Sequence, residues 1–214
     1  MLPFKLNTGE PLKILCLGAH CDDIEIGAGC FLLKLFAGYK IDKVTWVVFS
    51  SDKVREKEAR ESAEEFMTDI ETKEIIIHSY RDGFLPFYAA EIKESFERIK
   101  SRISPDIIFT HYRDDRHQDH RLISDLTWNT WRNNLILEYE IPKYDGDLGI
   151  PNLFVQVDRE LLAKRNAILL KNFKSQSGKH WFSDETFRAL PRLRGMEAVT
   201  DFAEAFYARK IVMY

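Results

Sequence analysis

The sequence has few of the residues and patterns that define several classes of protein. Its 214 residues include 3 Cys, 7 Pro and 10 Gly, too few for a disulfide-rich, collagen-like or low-complexity chain. Cys16, Cys21 and Cys30 lack the CxxC spacing of thiolate zinc sites, which predicts reduced thiols. The 31 Lys and Arg nearly balance the 34 Asp and Glu, so the chain has no basic field that would attract nucleic acid.

Long apolar runs and a secretory signal pattern are also lacking. No stretch approaches the ~20 apolar residues that a membrane-spanning helix needs. Residues 1–13 do not show the charged-then-apolar order of a signal peptide. We therefore expect a cytoplasmic protein without a membrane span.

The sequence does contain a regular alternation of β-rich and helical segments. Strands are predicted at 12–18, 43–50, 73–79 and 105–110, and helices at 29–38, 54–70 and 89–103. Such alternation favours right-handed βαβ crossovers. The expected fold is α/β and Rossmann-like, with a doubly wound, mostly parallel sheet and helices on both faces.

The second half is less regular and predicts a C-terminal α/β extension. A helix containing Trp128 and Trp131 is followed by predicted strands at 135–141, 153–157 and 208–214, and by predicted helices at 159–173 and 184–190. No linker, repeat or change of composition divides the chain. We expect one domain over 1–214, with a catalytic sheet over about 12–125 and an extension over about 126–214.

Polar clusters follow the predicted strands. Residues 19–25 (AHCDDIE) follow the first strand and residues 111–120 (HYRDDRHQDH) follow the fourth. In an open α/β sheet, ligands bind beyond the carboxyl ends of the strands, at the point where the strand order reverses. The first and fourth strands flank that point in the usual order. The two clusters are therefore expected to face each other.

The residue types in these clusters point to a metal site. His20 and Asp23 are three residues apart across a strand-to-helix turn, and His120 would complete a set of two nitrogens and one oxygen, as in catalytic zinc sites with an open position. The alternative is a helix N-cap, with Asp22 or Asp23 accepting backbone N–H groups and His20 as a turn residue.

Other cofactors fit the sequence less well. Two histidines and one carboxylate also describe non-haem iron sites, but the chain lacks the all-β pattern expected of those oxygenases. Zn²⁺ is favoured, and Fe²⁺ or Co²⁺ in the same pocket stays open. A nucleotide cofactor is disfavoured because neither GxGxxG nor GxxxxGK[ST] follows the first strand.

The two clusters resemble the motifs of the PIG-L or LmbE-like family of zinc-dependent N-acetylglucosamine de-N-acetylases, the GlcNAc-PI type. The family motif Ala-His-Pro-Asp-Asp-x-Glu is matched by residues 19–25, and His-x-Asp-His by residues 117–120. Cys21 replaces the usual proline, which removes turn rigidity but no ligand. The match extends over about the first 125 residues and becomes looser beyond them.

The resemblance implies a role for each matched residue. His20, Asp23 and His120 would hold the metal, and Asp22 would be the general base. His117 would stabilise the oxyanion and be oriented by Asp119. The implied reaction is hydrolysis of a linear amide C–N bond by metal-activated water.

Four further residues are candidates for binding the substrate. Arg55 and Asp82 stand where the family has a sugar-contacting arginine and aspartate, although a surface ion pair and an ordinary Asp-Gly turn are open alternatives. Arg113 would meet a substrate phosphate, and Arg194 would suit a phosphate or carboxylate, with a solvated surface position as the alternative for Arg194.

The expected function is removal of the N-acetyl group from an amino sugar that is nucleotide-linked, lipid-linked or a small glycoside. The expected binding partner is this small-molecule substrate, and no nucleic-acid partner is expected. A homo-oligomer is compatible with the resemblance. Two alternatives stay open: another metal amidase, such as a deformylase or conjugate amidase, and a catalytically inactive metal- or sugar-binding module.

Overall fold

The computed structural model describes residue 6 and residues 9–212. In the first half, the elements alternate between strand and helix. They are β1 (Leu12–Gly18), α1 (Asp23–Gly38), β2 (Ile41–Ser50), α2 (Lys53–Phe66), β3 (Lys73–Tyr80), α3 (Ala89–Lys100), β4 (Ile107–His111) and α4 (Gln118–Thr130). A short 3-10 helix at Leu85–Tyr88 precedes α3. The predicted alternation is confirmed, although α1 begins six residues before the predicted residue 29.

The second half departs further from the prediction. Its elements are β5 (Leu135–Tyr139), β6 (Leu153–Val157), α5 (Arg159–Asn172), a 3-10 helix at Lys174–Gln176, α6 (Asp184–Glu197) and β7 (Phe202–Ala208).

The predicted end of α6 at residue 190 is wrong. The helix continues through Pro191, because Phe187, Pro191 and Arg194 form its buried stripe and their packing outweighs the cost of an internal proline.

The predicted last strand at 208–214 is also wrong. The strand is seven residues long, lies at 202–208 and is buried throughout. The strand contains one acidic residue, Glu204. In the structure its carboxylate is buried and accepts hydrogen bonds from the backbone N–H groups of Cys30 (2.8 Å) and Phe31 (2.7 Å) in α1. Residues 213 and 214 lie outside the described part of the chain.

The seven strands form one sheet in the order β3-β2-β1-β4-β5-β7-β6. The pairs from β3 to β5 are parallel, and β7 runs antiparallel to both of its neighbours. The expected doubly wound α/β fold is confirmed, with the strand order reversing between β1 and β4. β5 pairs in parallel with β4 along its whole length, so the parallel part of the sheet continues beyond residue 125.

Two apolar cores cover the faces of the sheet. The larger contains the helix α1 residues Ile24 and Leu32 with Trp46 and Phe66, and the smaller packs Phe96 of α3 on the opposite face. The three cysteines are free, in agreement with the predicted reduced thiols, and all three are buried. Within residues 9–212, none of the helices is long and apolar enough to cross a membrane.

Candidate active site

The site lies where β1 and β4 end side by side. These strands pair in parallel, with Cys16 opposite Phe109, so the chain segments that follow them leave the sheet at the same edge. The segment after β1 runs through residues 19–22 into α1, and the segment after β4 runs through residues 112–117 into α4. The two polar clusters of the sequence meet there, as the strand order requires.

Three side-chain atoms form a compact triangle at this edge. His20 Nδ1 lies 3.1 Å from His120 Nε2 and 3.4 Å from Asp23 Oδ2, and His120 Nε2 lies 3.6 Å from Asp23 Oδ2. Ligand atoms at about 2.0–2.1 Å from a tetrahedral zinc ion are roughly 3.3 Å apart. The three atoms therefore have the spacing of one face of a tetrahedral site. The structure brings together the three residues that the sequence selected.

A carboxylate sets the proton arrangement of His120. Asp115 Oδ2 lies 2.9 Å from His120 Nδ1, so this nitrogen carries the hydrogen and Nε2 keeps its lone pair towards His20 and Asp23. Burial lowers the pKa of His120 to about 3, with the neighbouring His111 acting in the same direction. Neutral imidazole is the form that binds a metal ion.

The charge of the site fits a cation. Burial would raise the pKa of the Asp23 carboxyl, but His120, His111 and His20 hold it well below its usual range. Five carboxylates gather around the histidines, namely Asp22, Asp23, Asp82, Asp115 and Asp119, whereas the cationic side chains paired with them are Arg55 and Lys143. Further groupings, such as Asp23 with His111 and His120, also place ligand atoms within 4.8 Å of one another. The donor set fits a divalent ion of the zinc type.

Asp22 lies beside this triangle without the cap interaction that the alternative interpretation required. It occupies the N-cap position of α1, but its side chain makes no capping hydrogen bond. Oδ1 instead accepts from Arg55 Nη2 at 2.9 Å. In the described chain Oδ2 is buried and has no hydrogen-bond partner. Burial raises the pKa of this carboxyl, and Arg55 opposes the shift. A buried carboxylate oxygen with unused acceptor capacity suits a proton acceptor.

His117 and Asp119 are both at the site, but the hydrogen-bond partners of the Asp119 carboxylate are residues other than His117. Asp119 Oδ2 lies 3.2 Å from His20 Nε2, and its two oxygens accept the backbone N–H groups of Gly83 (2.8 Å) and Leu85 (3.1 Å). His117 contacts the backbone of Asp119 instead, since its Nδ1 accepts the backbone N–H of Asp119 at 3.3 Å as it caps α4. The Asp119 carboxylate therefore fixes His20 and the turn at Gly83.

Two of the four predicted substrate residues border the cluster. The guanidinium of Arg55 is paired with the buried Asp22 and not with a surface carboxylate. The carboxylate of Asp82 is 79% exposed and lies 3.0 Å from His20 Nε2. An exposed polar group beside a buried cluster is available to a bound molecule.

The other two are engaged elsewhere. Arg194 is buried and donates to both carboxylate oxygens of Glu140, at 2.7 and 2.9 Å, and to Glu197. Arg113 lies over the ring of Trp128, with 5.0 Å from Cζ to the ring centroid. Both arginines thus have protein partners, and their role in binding the substrate stays a prediction.

The sequence did not identify the supporting residues. His111 is fully buried; its Nε2 accepts the backbone N–H of Ala19 at 2.9 Å and lies 3.2 Å from Asp23 Oδ2. The buried Asp115 and the largely covered Lys143 form an ion pair behind His120. Asp115 is part of the His-rich cluster and could have been recognised as a histidine support, whereas nothing in the local sequence marks Lys143.

Comparisons with solved structures agree with this fold. The chain resembles N,N'-diacetylchitobiose deacetylase from Pyrococcus horikoshii, with 22% identity, a TM-score of 0.65 and coverage of 91% of this chain and 82% of that one. It also resembles the zinc-inhibited form of the teicoplanin deacetylase Orf2 (13% identity, TM-score 0.69, coverage 91% and 97%). A third similar structure is the 4-carboxy-2-hydroxymuconate hydratase GalB from Pseudomonas putida. It has 14% identity and a TM-score of 0.67, with coverage of 95% of this chain and 98% of that one. At these identities the likeness shows the fold alone.

The family profile PIG-L, described as GlcNAc-PI de-N-acetylase, matches residues 15–131. The matched segment contains the residues of the His20, Asp23 and His120 triangle together with Asp22, His117 and Asp119. Since the match covers more than half of the chain, this protein belongs to the PIG-L family.

Proposed function

We propose that the protein is a metal-dependent hydrolase that removes the N-acetyl group from an N-acetylated amino sugar. The triangle of His20 Nδ1, Asp23 Oδ2 and His120 Nε2, with edges of 3.1 to 3.6 Å, carries the proposal. Membership of the PIG-L family and the deacetylases among the similar folds support the choice of reaction.

The residues around the triangle fit the steps of amide hydrolysis. A divalent ion held by His20, Asp23 and His120 would polarise the amide carbonyl and acidify the attacking water. Asp22 Oδ2 accepts a proton from that water as the new C–O bond forms. The same proton passes to the sugar nitrogen as the amide C–N bond breaks, which gives acetate and a free amine.

His117 fits the role of oxyanion donor. Because its Nδ1 accepts the backbone N–H of Asp119, the hydrogen of the neutral ring is on Nε2. A donor of this kind stabilises a tetrahedral oxyanion by ~3 to 4 kcal/mol in enzymes that have been studied. Asp82, which is exposed next to His20, is placed to accept hydrogen bonds from sugar hydroxyls.

The proposal is tested with purified protein and a panel of N-acetylated amino sugars. We expect bound metal, release of acetate, and a product lighter by the mass of acetyl minus hydrogen. Removal of the metal by a chelator should abolish the release, and Zn²⁺, Co²⁺ or Fe²⁺ should restore it. His20→Ala should lose both metal and activity, whereas Asp42→Asn, at an exposed position near the start of β2, should keep both.

The same assay separates the alternatives. Release of formate or of another acyl group would identify a different amidase. Bound metal without turnover of any amide would favour a binding module. A protein that hydrates a double bond has a similar fold, so addition of water to unsaturated acids without acetate release would overturn the deacetylase proposal. Absence of metal from the wild-type protein would overturn the site assignment itself.

A further inference from the structure

The segment after β5 reaches back to the histidine cluster. Lys143 Nζ donates a hydrogen bond to Asp115 Oδ2 at 2.9 Å, and the same oxygen lies 2.9 Å from His120 Nδ1. Asp115 Oδ1 accepts the backbone N–H of His117 at 2.7 Å. One carboxylate therefore joins Lys143 to two histidines of the proposed site.

This lysine is unusual in its burial. Its side chain is 12% exposed, and those of Asp115 and Asp147 are 2% and 7% exposed. Asp147 Oδ1 accepts from Lys143 Nζ at 2.7 Å, and Asp147 Oδ2 accepts the backbone N–H of Arg116 at 2.6 Å. Lysines are almost never fully buried unless they are paired. The ammonium group is thus held between two carboxylates at a fixed place behind His120.

The far end of the segment is anchored to the C-terminal part of the fold. Glu140 Oε1 accepts the backbone N–H of Gly149 at 3.1 Å, and Arg194 Nη2 donates to the carbonyl oxygen of Gly149 at 3.0 Å. A Cβ at position 149 would lie 2.3 Å from the hydroxyl oxygen of Tyr207, so this close approach requires glycine. Residues 143–149 are therefore fastened to the protein at both ends.

We propose that Lys143 is a positioning residue that aligns the metal ligand His120 by fixing the Asp115 carboxylate. The proposal rests on the proposed function, because it takes His120 as a ligand. A ligating histidine usually donates its second ring N–H to a carboxylate, which sets its tautomer and ring orientation. Here that carboxylate is in turn fixed by Lys143, so that Nε2 of His120 faces His20 and Asp23. Residues beyond the PIG-L match thereby help to shape the site.

The test measures the Zn²⁺ affinity of metal-stripped protein by competition with a chromophoric chelator. Loss of such a supporting contact typically weakens metal binding by about 10- to 100-fold, which is the result expected for Lys143→Met. Lys143→Arg should recover part of the affinity. The matched control is Lys171→Met, which removes an exposed ion pair with Glu65 and should change the affinity by less than about twofold.

A double-substitution cycle distinguishes positioning from a general loss of structure. In an Asp115→Asn background, Lys143→Met should weaken Zn²⁺ binding little further, because the contact through which it acts is already altered. Should Lys143→Met unfold the metal-free protein, Asp147→Asn, which keeps the ammonium but loosens it, should show a smaller loss of affinity with an unchanged melting temperature.

The outcomes separate this proposal from the proposed function. Unchanged or tighter Zn²⁺ binding in folded Lys143→Met, or full additivity in the cycle, would overturn the role of Lys143 and leave the hydrolase proposal intact. If Lys143→Met binds Zn²⁺ more weakly but the wild-type protein releases no acetate, the role of Lys143 is supported and the hydrolase proposal is overturned. A wild-type protein without Zn²⁺ affinity would overturn both.

Discussion

The segment matched by the PIG-L profile, residues 15–131, and the segment after it contribute to the site in different ways. The first supplies all three atoms of the proposed ligand triangle, from residues near one another in two short motifs. The second supplies contacts behind them: Lys143 fixes Asp115, and the hydroxyl of Tyr139 donates to the carbonyl oxygen of Leu17 in β1 at 2.7 Å. Local motifs reveal groups that perform chemistry, whereas groups that hold them in place are dispersed along the chain.

The largest expected effect is in the first segment and concerns activity. Asp22→Asn replaces the proposed proton acceptor by an amide that cannot take a proton. Acetate release should fall by about 100- to 10,000-fold, the usual contribution of a general base. Zn²⁺ affinity, measured by chelator competition, should stay near that of the wild type because Asp22 is outside the ligand triangle.

Asp42→Asn is the matched control for this change. Asp42 is half-exposed and lies 3.7 Å from Lys13, so the same substitution should leave acetate release unaltered. Near wild-type activity in Asp22→Asn would refute the assignment of the base.

The next effect is in the second segment and concerns stability. Arg194→Met leaves Glu140, a buried carboxylate, without its cationic partner. Removing one partner of a buried ion pair costs about 3–5 kcal/mol, and we expect a loss near the lower value in the free energy of unfolding, measured with denaturant.

Arg192→Met provides the comparison in the same helix. Arg192 is exposed and donates to the carbonyl oxygen of Asp201, so its loss should change the free energy of unfolding much less. Unchanged stability together with a raised KM in Arg194→Met would support the substrate-binding role that the sequence suggested.

A third effect is at the contact between the two segments. A Cβ on Gly27 of α1 would lie 2.2 Å from a ring carbon of Tyr139 in β5. Gly27→Ala should therefore lower the free energy of unfolding by about 1–3 kcal/mol through overpacking. Gly38 ends the same helix, and a Cβ there has no heavy atom within 4 Å in the described structure. Gly38→Ala should be neutral or stabilising by up to about 1 kcal/mol; equal effects of the two would contradict the packing argument.

The smallest effect is expected at Arg113. Arg113→Gln removes a cation from the face of Trp128 and should cost about 0.5–1 kcal/mol of stability, with no change in KM. Lys210 is exposed, and its Nζ lies 5.4 Å from the centroid of the same ring. Lys210→Gln should therefore lower the free energy of unfolding by less than Arg113→Gln does. A KM that rises in Arg113→Gln for phosphate-bearing substrates alone would support the predicted phosphate contact.

The sequence predicted the elements of the first segment more accurately than those of the segment after residue 131. The strands β1 to β4 were predicted within two residues at each end because each contains a short apolar, β-rich run. The strand β7 was misplaced by six residues, and its burial depends on contacts distant in sequence, such as those of the Glu204 carboxylate with the backbone of α1. The end of α6 was misplaced because a proline usually stops a helix, whereas here its ring packs in a buried stripe.

The sequence by itself determined the α/β alternation, and the spacing of its motifs selected His20, Asp23 and His120. These features are local: apolar periodicity and the carboxyl ends of parallel strands follow from neighbouring residues. Only the tertiary structure decided that Asp119 fixes His20, that Arg194 pairs with Glu140, and that Lys143 stands behind His120. Such pairings join residues up to 99 positions apart. The fold decides which charged groups are buried next to each other. Burying a charge without a counter-ion costs free energy, so these groups pair even when they are distant in sequence.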